Sequence, residues 1–279
     1  MNRARLRTLL LATTGLTYVL LLLGIYTAAA GAGLTCDARW PLCDGAVFGL
    51  FPANWPSFIE WFHRLVAMIA GFLVIGTAYG AWRWQDDRRV RLGVTTALVL
   101  YPVQALLGAG TVLDYTFLYL TAHFVTALAI LASLVLATLW YLGPRAASLR
   151  RLRYALLGVV GLYPLLLALS PGAFVTHTAT VQAIYYAVGL AIFVAPLAAA
   201  AWAGLLRSPT ERLRRVRLLA AVAAVLVGVQ LLLGRYLYTE LIRLLDATLM
   251  VTVLLLVGVA AWLTYRVDPA GAAAGSTTQ

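Results

Sequence analysis

Long apolar runs separated by short polar segments dominate this sequence from end to end. Each run is about twenty residues long, the length that a helix needs to cross a bilayer core of about 30 Å. A helix of a soluble protein would alternate apolar and polar faces far more often. The pattern predicts eight transmembrane helices, at residues 9–30, 61–83, 92–112, 117–142, 154–174, 180–206, 216–236 and 241–265.

The charged residues lie between these runs, and they predict an orientation. All 21 basic residues are arginines, and the net charge is +11 in a chain that is 63% hydrophobic. The arginines cluster at the N-terminus and in alternate loops, at 83–91, 143–153 and 207–217. The positive-inside rule then puts both termini in the cytoplasm and the loop 31–60 outside. We expect a multi-pass protein of the cell membrane, in contact with lipid and with no nucleic-acid partner.

A short motif occurs twice and indicates an internal duplication. Residues 103–108 read VQALLG in the third run, and residues 229–234 read VQLLLG in the seventh. Each lies in the third span of a four-span half, so we expect an all-α protein of two tandem four-helix bundles with a parallel pseudo-two-fold repeat. The predicted domains are a first half at 1–148, which carries the loop 31–60, a second half at 149–267, and a disordered tail at 268–279.

Two histidines are predicted at a similar depth in the first half. His63 lies near the start of the second run, and His123 lies about six residues into the fourth. Imidazole is a common axial ligand of haem iron, and ionisable groups inside membrane spans are usually functional. We therefore predict that the pair holds a haem near the outer face. The alternative is that each imidazole bonds to a backbone carbonyl at the interface.

Glu60 and Arg64 flank His63 on one predicted helix face, because residues three and four apart are neighbours on a helix. Glu60 is a candidate proton donor or acceptor at a bound substrate. Arg64 is a candidate partner for a haem propionate, since its fork suits carboxylates. The simpler alternative is an ion pair between Glu60 and Arg64 at the helix start.

Cys36 and Cys43 lie seven residues apart in the predicted external loop. The outer side is oxidising, so a disulfide is expected there. A structural disulfide would fix the loop, whereas a redox-active pair would exchange electrons with the site. A soft metal site is disfavoured, because the segment offers only two sulfurs and no histidine between them.

The repeat also serves as an internal alignment for the second half. It places Gln182, Tyr185 and Asp246 where the first half has Glu60, His63 and His123. The second half therefore has polar residues but no histidine at these positions. For Asp246 we expect a salt bridge to Arg243 or Arg235. His177, in a predicted outer loop, either has no special role or lines a cavity of the second half.

In combination these motifs resemble one known family. Residues 36–43 read CDARWPLC, residues 60–64 read EWFHR, residues 104–108 read QALLG, and His123 follows. Together they are similar to the haem A synthases, eight-helix membrane proteins built from two four-helix halves. The resemblance is strong over residues 20–140 and rests on topology in the second half.

The resemblance implies an enzyme that oxidises the C8 methyl of haem O to the formyl group of haem A, for cytochrome oxidase. It implies that His63 and His123 ligate the substrate haem. Glu60 becomes a catalytic or substrate-orienting carboxylate, and the two cysteines match the outer-loop pair of many bacterial members. The implied partners are haem O synthase, oxidase assembly factors and an electron carrier that the sequence does not identify.

The second half departs from the family pattern. Typical members bind a cofactor haem b there through one histidine on span six and another on span eight. Here Tyr185 and Asp246 occupy those positions, and this is not a normal ligand pair for a b-type haem. The alternative function is therefore a non-catalytic membrane protein that binds or carries haem in oxidase assembly.

Overall fold

The computed structural model describes residues 2–36, 39–40, 42–43, 52, 54–171, 174–176, 178–206, 210–236 and 239–267. Within these ranges the regular structure is helical, and eight helices are long and apolar enough to cross a membrane. The predicted fold class is confirmed. The helices are α1 (Asn2–Ala29), α2 (Trp55–Trp84), α3 (Arg88–Leu113), α4 (Phe117–Leu142), α5 (Leu149–Ala168), α6 (Ala179–Leu205), α7 (Glu211–Leu233) and α8 (Glu240–Tyr265).

Helix α2 begins at Trp55, six residues before the start that the apolar pattern predicted. The Asn54 side chain caps it by accepting a 2.9 Å hydrogen bond from the Ser57 amide. Pro56 occupies the first turn, where its missing N–H costs nothing. The segment 60–64 therefore lies inside α2 and not at the helix start.

Four aromatic rings cover the first turns of α2. The Phe58 ring lies 5.4 Å from the Trp55 ring, 5.6 Å from the Trp61 ring and 6.0 Å from the Phe62 ring. Trp55 is 67% exposed, as is typical of the aromatic belt at a membrane surface. Glu60 lies among these rings along the helix, and His63 follows the last of them directly. Which side of the membrane this belt faces stays a prediction.

The chain divides into two compact units. Unit 1 comprises Met1–Ala137 and Thr176–Tyr186, and unit 2 comprises Thr138–Val175 and Ala187–Gln279. The predicted division near residue 148 into two tandem halves is a different partition and stays a prediction. The predicted tail at 268–279 lies outside the described residues, and the loop 31–60 is described only in part.

Apolar packing and a few polar contacts hold the helices of unit 1 together. Its core cluster contains Val74, Ala97, Ile130 and Leu134, from α2, α3 and α4. Helices α1 and α2 share a 2.7 Å hydrogen bond between the buried hydroxyls of Thr13 and Thr77. The Tyr101 hydroxyl of α3 donates to the Ala67 carbonyl of α2 at 2.5 Å. These contacts fix the helices that carry the site described below.

Unit 2 has polar contacts of its own between α5 and α8. The Arg153 guanidinium donates to the Thr264 carbonyl at 2.7 Å and to its hydroxyl at 3.2 Å. The same guanidinium lies 4.3 Å from the centre of the Tyr265 ring. A charged side chain thus holds the end of α8 against α5.

Candidate functional site

The two predicted ligands, His63 and His123, lie in the same part of unit 1. His63 follows Trp55 by eight residues in α2, and His123 follows Phe117 by six residues in α4. At 1.5 Å per residue these positions lie about 12 Å and about 9 Å from the helix ends. The two imidazoles are close enough to interact electrostatically. The sequence reasoning placed them at a similar depth, and the structure brings them together.

A glycine of the preceding helix faces each imidazole. A Cβ added at Gly24 of α1 would lie 3.0 Å from His63 Cε1, and a Cβ added at Gly108 of α3 would lie 3.1 Å from His123 Cε1. Both distances are shorter than an ordinary contact between carbon atoms, about 3.5–4.0 Å. The absence of a side chain at these two positions therefore lets each ring lie against a helix backbone.

The hydrogen bonds of His123 define its protonation. Nδ1 lies 3.1 Å from the carbonyl oxygen of Gln104, which can only accept, so Nδ1 carries the proton. Nε2 then presents its lone pair, and the Gln104 side-chain nitrogen lies 3.3 Å from it. A bond from Nδ1–H to a carbonyl is how proteins orient an imidazole whose other nitrogen binds a metal. The bond to a backbone carbonyl that the simpler alternative predicted is thus present. It also places the proton on Nδ1, as in an imidazole that binds a metal through Nε2.

His63 has a different environment. Its Nδ1 is buried and has no hydrogen-bond partner among the described residues. An unsatisfied buried polar atom costs free energy, and natural structures rarely keep one without a reason. His63 and His123 are half-buried and interact electrostatically, and by donor type they fit the axial ligands of a haem iron.

Arg64 connects the site to the loop that precedes α2. Its Nε donates to Glu60 Oε1 at 2.8 Å, and Glu60 is only 5% exposed. Its Nη1 donates to the carbonyls of Arg39 at 2.8 Å and Leu42 at 2.6 Å. The ion pair between Glu60 and Arg64 is therefore present, and the same guanidinium also holds the loop. The predicted bond from Arg64 to a haem propionate stays a prediction.

The predicted disulfide between Cys36 and Cys43 is confirmed. Both cysteines are buried, with 0% and 3% of their surface exposed. The Ser57 hydroxyl of α2 donates to the Thr35 carbonyl at 2.9 Å, which anchors the start of the loop. The bridge and Arg64 thus hold this loop against the first turns of α2. Whether the pair also exchanges electrons stays a prediction.

Two of the aligned second-half positions lie in the part of α6 that belongs to unit 1. Tyr185 is 2% exposed, and its ring lies edge-on to the Tyr186 ring with the centres 5.1 Å apart. The Tyr186 ring in turn lies 5.8 Å from the Phe124 ring of α4. Gln182 is half-buried in the first turn of this helix. Tyr185 is therefore part of a packed aromatic cluster.

Asp246 does not form the expected salt bridge with Arg243, which pairs with Glu240 at 3.7 Å. Both residues of that pair are mostly exposed, because a long arginine side chain reaches towards water more easily than into the bundle. The Asp246 carboxyl instead accepts a hydrogen bond from the Gln230 side chain. The oxygen of that buried glutamine accepts a 2.8 Å bond from the Tyr163 hydroxyl.

Some residues of the site were not recognised from the sequence. Gln104 and Gly108 belong to the repeated motif, which was used as a sign of duplication and of the family resemblance but not as part of the site. Their spacing of four residues puts them on one helix face, and this was an available signal. Gly24 has no distinguishing signal in its apolar run. His177 lies outside the described residues.

Fold and site together define a membrane protein with eight helices long and apolar enough to span a bilayer, two of which carry the histidine pair. The profile of the COX15-CtaA family, described as cytochrome oxidase assembly protein, matches residues 54–267. The chain belongs to this family.

Individual relatives carry two kinds of name. The heme A synthase of Bacillus licheniformis is 30% identical over 198 residues, which cover 64% of this chain and 61% of that protein. The heme A synthase of Alkalihalophilus pseudofirmus is 35% identical over 43% of this chain and 41% of that protein. The protoheme IX farnesyltransferase of Halobacterium salinarum is 40% identical over 47% of this chain but only 29% of that protein. The chain thus spans less than two thirds of each of these relatives.

Proposed function

We propose that this protein acts in haem A biosynthesis and oxidises the C8 methyl of haem O to a formyl group. The observation that carries the proposal is the half-buried imidazole pair of His63 and His123. The family match and the relatives named heme A synthase support it. In this proposal the two imidazoles hold haem O as substrate through its iron.

The residues around the pair have distinct proposed roles. The Gln104 carbonyl fixes the His123 ring so that Nε2 faces the iron. Oxidation of a methyl to a formyl group takes up an oxygen atom, which in this proposal comes from water, and releases protons and electrons. A carboxylate is a suitable acceptor for the protons, and the external electron carrier takes the electrons. Glu60 lies three residues from His63 on α2 and accepts a 2.8 Å hydrogen bond from Arg64, which places a carboxyl group beside the pair. The described part of the disulfide loop is held at this end of α2 by Arg64 and by the Ser57 hydroxyl.

The reaction also removes electrons, so it requires an electron carrier. In the proposal this carrier is external, because neither Tyr185 nor Asp246 fits the axial ligand of a b-type haem. Tyr185 packs against Tyr186, and Asp246 is engaged by Gln230. No step of the proposed reaction passes through a second haem.

The test is co-expression with a haem O synthase in a host that makes no haem A. Extraction and chromatography of the haems should show haem A with the natural chain. With His63→Ala or His123→Ala, only haem O is expected. His177→Ala is the matched control and should leave the haem A yield unchanged. A full yield of haem A from the His63→Ala protein would refute the site.

A second candidate is a protein that binds haem but does not oxidise it. The lack of an imidazole at Tyr185 and at Asp246 favours it, since one route for electrons is then missing. The same co-expression distinguishes the two functions. A carrier would purify with haem bound through His63 and His123, while the extracted haems would contain haem O alone.

We also propose that the protein associates with a haem O synthase. In the Halobacterium relative, a segment similar to this chain forms part of a protein named protoheme IX farnesyltransferase, the enzyme that makes haem O. Direct association would pass a poorly soluble substrate from one enzyme to the next. Co-purification of an affinity-tagged chain with the co-expressed synthase tests this, and separate elution of the two proteins in mild detergent would contradict it.

A further inference from the structure

The two proposed ligands differ in what faces their nitrogens. His123 Nε2 lies 3.3 Å from the Gln104 side-chain nitrogen. For His63, the buried Nδ1 has no hydrogen-bond partner among the described residues. An iron that approaches the pair therefore meets one imidazole that a protein amide already covers. The other imidazole has no such cover on Nδ1.

The orientation of the Gln104 amide follows from its surroundings. The backbone carbonyl fixes the proton on His123 Nδ1, so Nε2 can only accept. The amide nitrogen must then be the end that faces the ring. The other end, Gln104 Oε1, is buried without a partner among the described residues. This side chain thus makes a neutral bond at one end and leaves an unsatisfied atom at the other, so the contact is a weak one.

The equivalent glutamine of unit 2 is satisfied at both ends. Gln230 Oε1 accepts a 2.8 Å bond from the Tyr163 hydroxyl, and its amide donates to Asp246. Gln230 is 2% exposed, whereas Gln104 is half-buried. A glutamine at this position of the motif can therefore be locked by its neighbours. The described neighbours of Gln104 leave its Oε1 unbonded.

We propose that Gln104 is a displaceable cap on the iron-binding nitrogen of His123. The substrate haem binds first to His63, and His123 becomes the second axial ligand when the Gln104 amide turns away. Gln104 is in this sense a positioning residue that keeps the His123 lone pair satisfied until the substrate arrives. The inference rests on the proposed function, because it requires haem to be held by both histidines.

The experiment uses the full-length protein, purified free of haem in lipid nanodiscs and titrated with protohaem as the probe. The absorption spectrum distinguishes five-coordinate high-spin haem from the six-coordinate low-spin form that two imidazoles produce. Stopped-flow mixing should show a first phase of binding and a second phase of His123 ligation. Gln104→Met has a similar length but no amide, so we expect the second phase to be about 2- to 10-fold faster, the equivalent of one neutral hydrogen bond. The first phase should not change.

Three further variants keep the inference testable. Gln104→Asn retains an amide, but its side chain is too short to reach His123. It replaces Gln104→Met if the latter does not fold, and the same faster second phase is expected. Gly76→Ala, where an added Cβ would meet no atom within 4 Å, is the control and should leave both phases unchanged. In a His123→Ala background, Gln104→Met should have no effect on the five-coordinate haem, which a merely structural role of Gln104 would not predict.

The outcomes separate this inference from the proposed function. If the natural protein forms the six-coordinate haem and makes haem A, but Gln104→Met leaves the second phase unchanged or slower, the cap is refuted alone. An effect of Gln104→Met that persists without His123 also refutes it. If the natural protein forms no six-coordinate haem that depends on both histidines, the proposed site and the cap are both wrong.

Discussion

Gln104 of α3 and Gln230 of α7 occupy the same position of the repeated motif, yet each meets a different side chain on the following helix. In unit 1 the partner is His123 of α4. In unit 2 it is Asp246 of α8. These two partners are the residues that the internal alignment places opposite each other. The two contacts therefore show how the same glutamine side chain behaves beside an imidazole and beside a carboxyl group.

In unit 2 the contact is part of a three-residue network, although Asp246 Oδ1 has no hydrogen-bond partner among the described residues. Tyr163, Gln230 and Asp246 come from three helices, and the glutamine uses both ends of its amide. Such a network in a medium of low dielectric constant stiffens the structure that contains it. In unit 1 the imidazole keeps a lone pair for a ligand, and Gly108 leaves room for its ring. The difference supports the proposed binding role for the polar residues of unit 1, and in that proposal the polar residues of unit 2 have a structural role.

The largest expected effect comes from opening the network of unit 2. Gln230→Leu leaves the Tyr163 hydroxyl and the Asp246 carboxyl without this partner, and each unsatisfied buried group costs about 1–3 kcal/mol. We expect the free energy of unfolding to fall by about 2–4 kcal/mol, measured by denaturation of the purified protein in detergent. Gln104→Leu is the matched control, and it should cost less than about 1 kcal/mol because it breaks one weak bond. Equal losses in the two variants would contradict the comparison.

The next effect concerns the two glycines of unit 1. Gly108→Ala places a Cβ 3.1 Å from His123 Cε1, and the ring has little freedom to move because Gln104 bonds both of its nitrogens. Changes beside a metal ligand typically lower metal affinity about 10- to 100-fold, and we expect a loss of that size in protohaem affinity. Gly24→Ala should have a similar effect through His63.

Gly76→Ala is the control for both glycine variants, since a Cβ at that position of α2 would meet no atom within 4 Å. It should bind protohaem as tightly as the natural chain. Spectroscopic titration measures all three affinities. An unchanged affinity in Gly108→Ala would mean that the His123 ring is not held against α3.

The sequence was sufficient for the helices because each apolar run is long and has few charges. It was less accurate at the start of α2, where Asn54 and Pro56 suggest a loop although they also make a good helix cap. The apolar pattern registers the membrane core but not the first turns of a helix at its surface. For this reason residues 60–64 were predicted to lie at a helix start. Helix α2 begins six residues before that predicted start, at Trp55.

The sequence alone identified only those site residues whose type is unusual in a membrane span. His63, His123 and Glu60 are uncommon inside membrane spans, so their chemistry made them visible. Gln104 and Gly24 became recognisable only when the structure showed which helix faces meet. Asp246 was expected to pair with Arg243 or Arg235, but Arg243 pairs with Glu240, and the partner of Asp246 is Gln230, which is near only in the folded chain. Contacts between helices depend on packing that a single sequence does not display.

A smaller effect is expected at the loop that precedes α2, to which Arg64 is hydrogen-bonded. Arg64→Lys keeps the charge but replaces the guanidinium fork by one ammonium group, which cannot bond Glu60 and both loop carbonyls together. We expect a loss of about 1–2 kcal/mol in the free energy of unfolding. Reduction and thiol labelling of the bridge between Cys36 and Cys43 should also become faster. A labelling rate equal to that of the natural chain would show that Arg64 does not hold the loop.

The smallest expected effect compares one substitution at the two aligned positions. Asp246→Asn removes a charge but keeps an oxygen that accepts from Gln230, so the free energy of unfolding should change by less than about 0.5 kcal/mol. The haem A yield in co-expression should not change. His123→Asn also leaves a polar side chain, but it removes the imidazole and should abolish haem A. If Asp246→Asn lowered the haem A yield as far as His123→Asn does, unit 2 would take part in the reaction. The network of Tyr163, Gln230 and Asp246 would then have a role in the reaction besides its structural one.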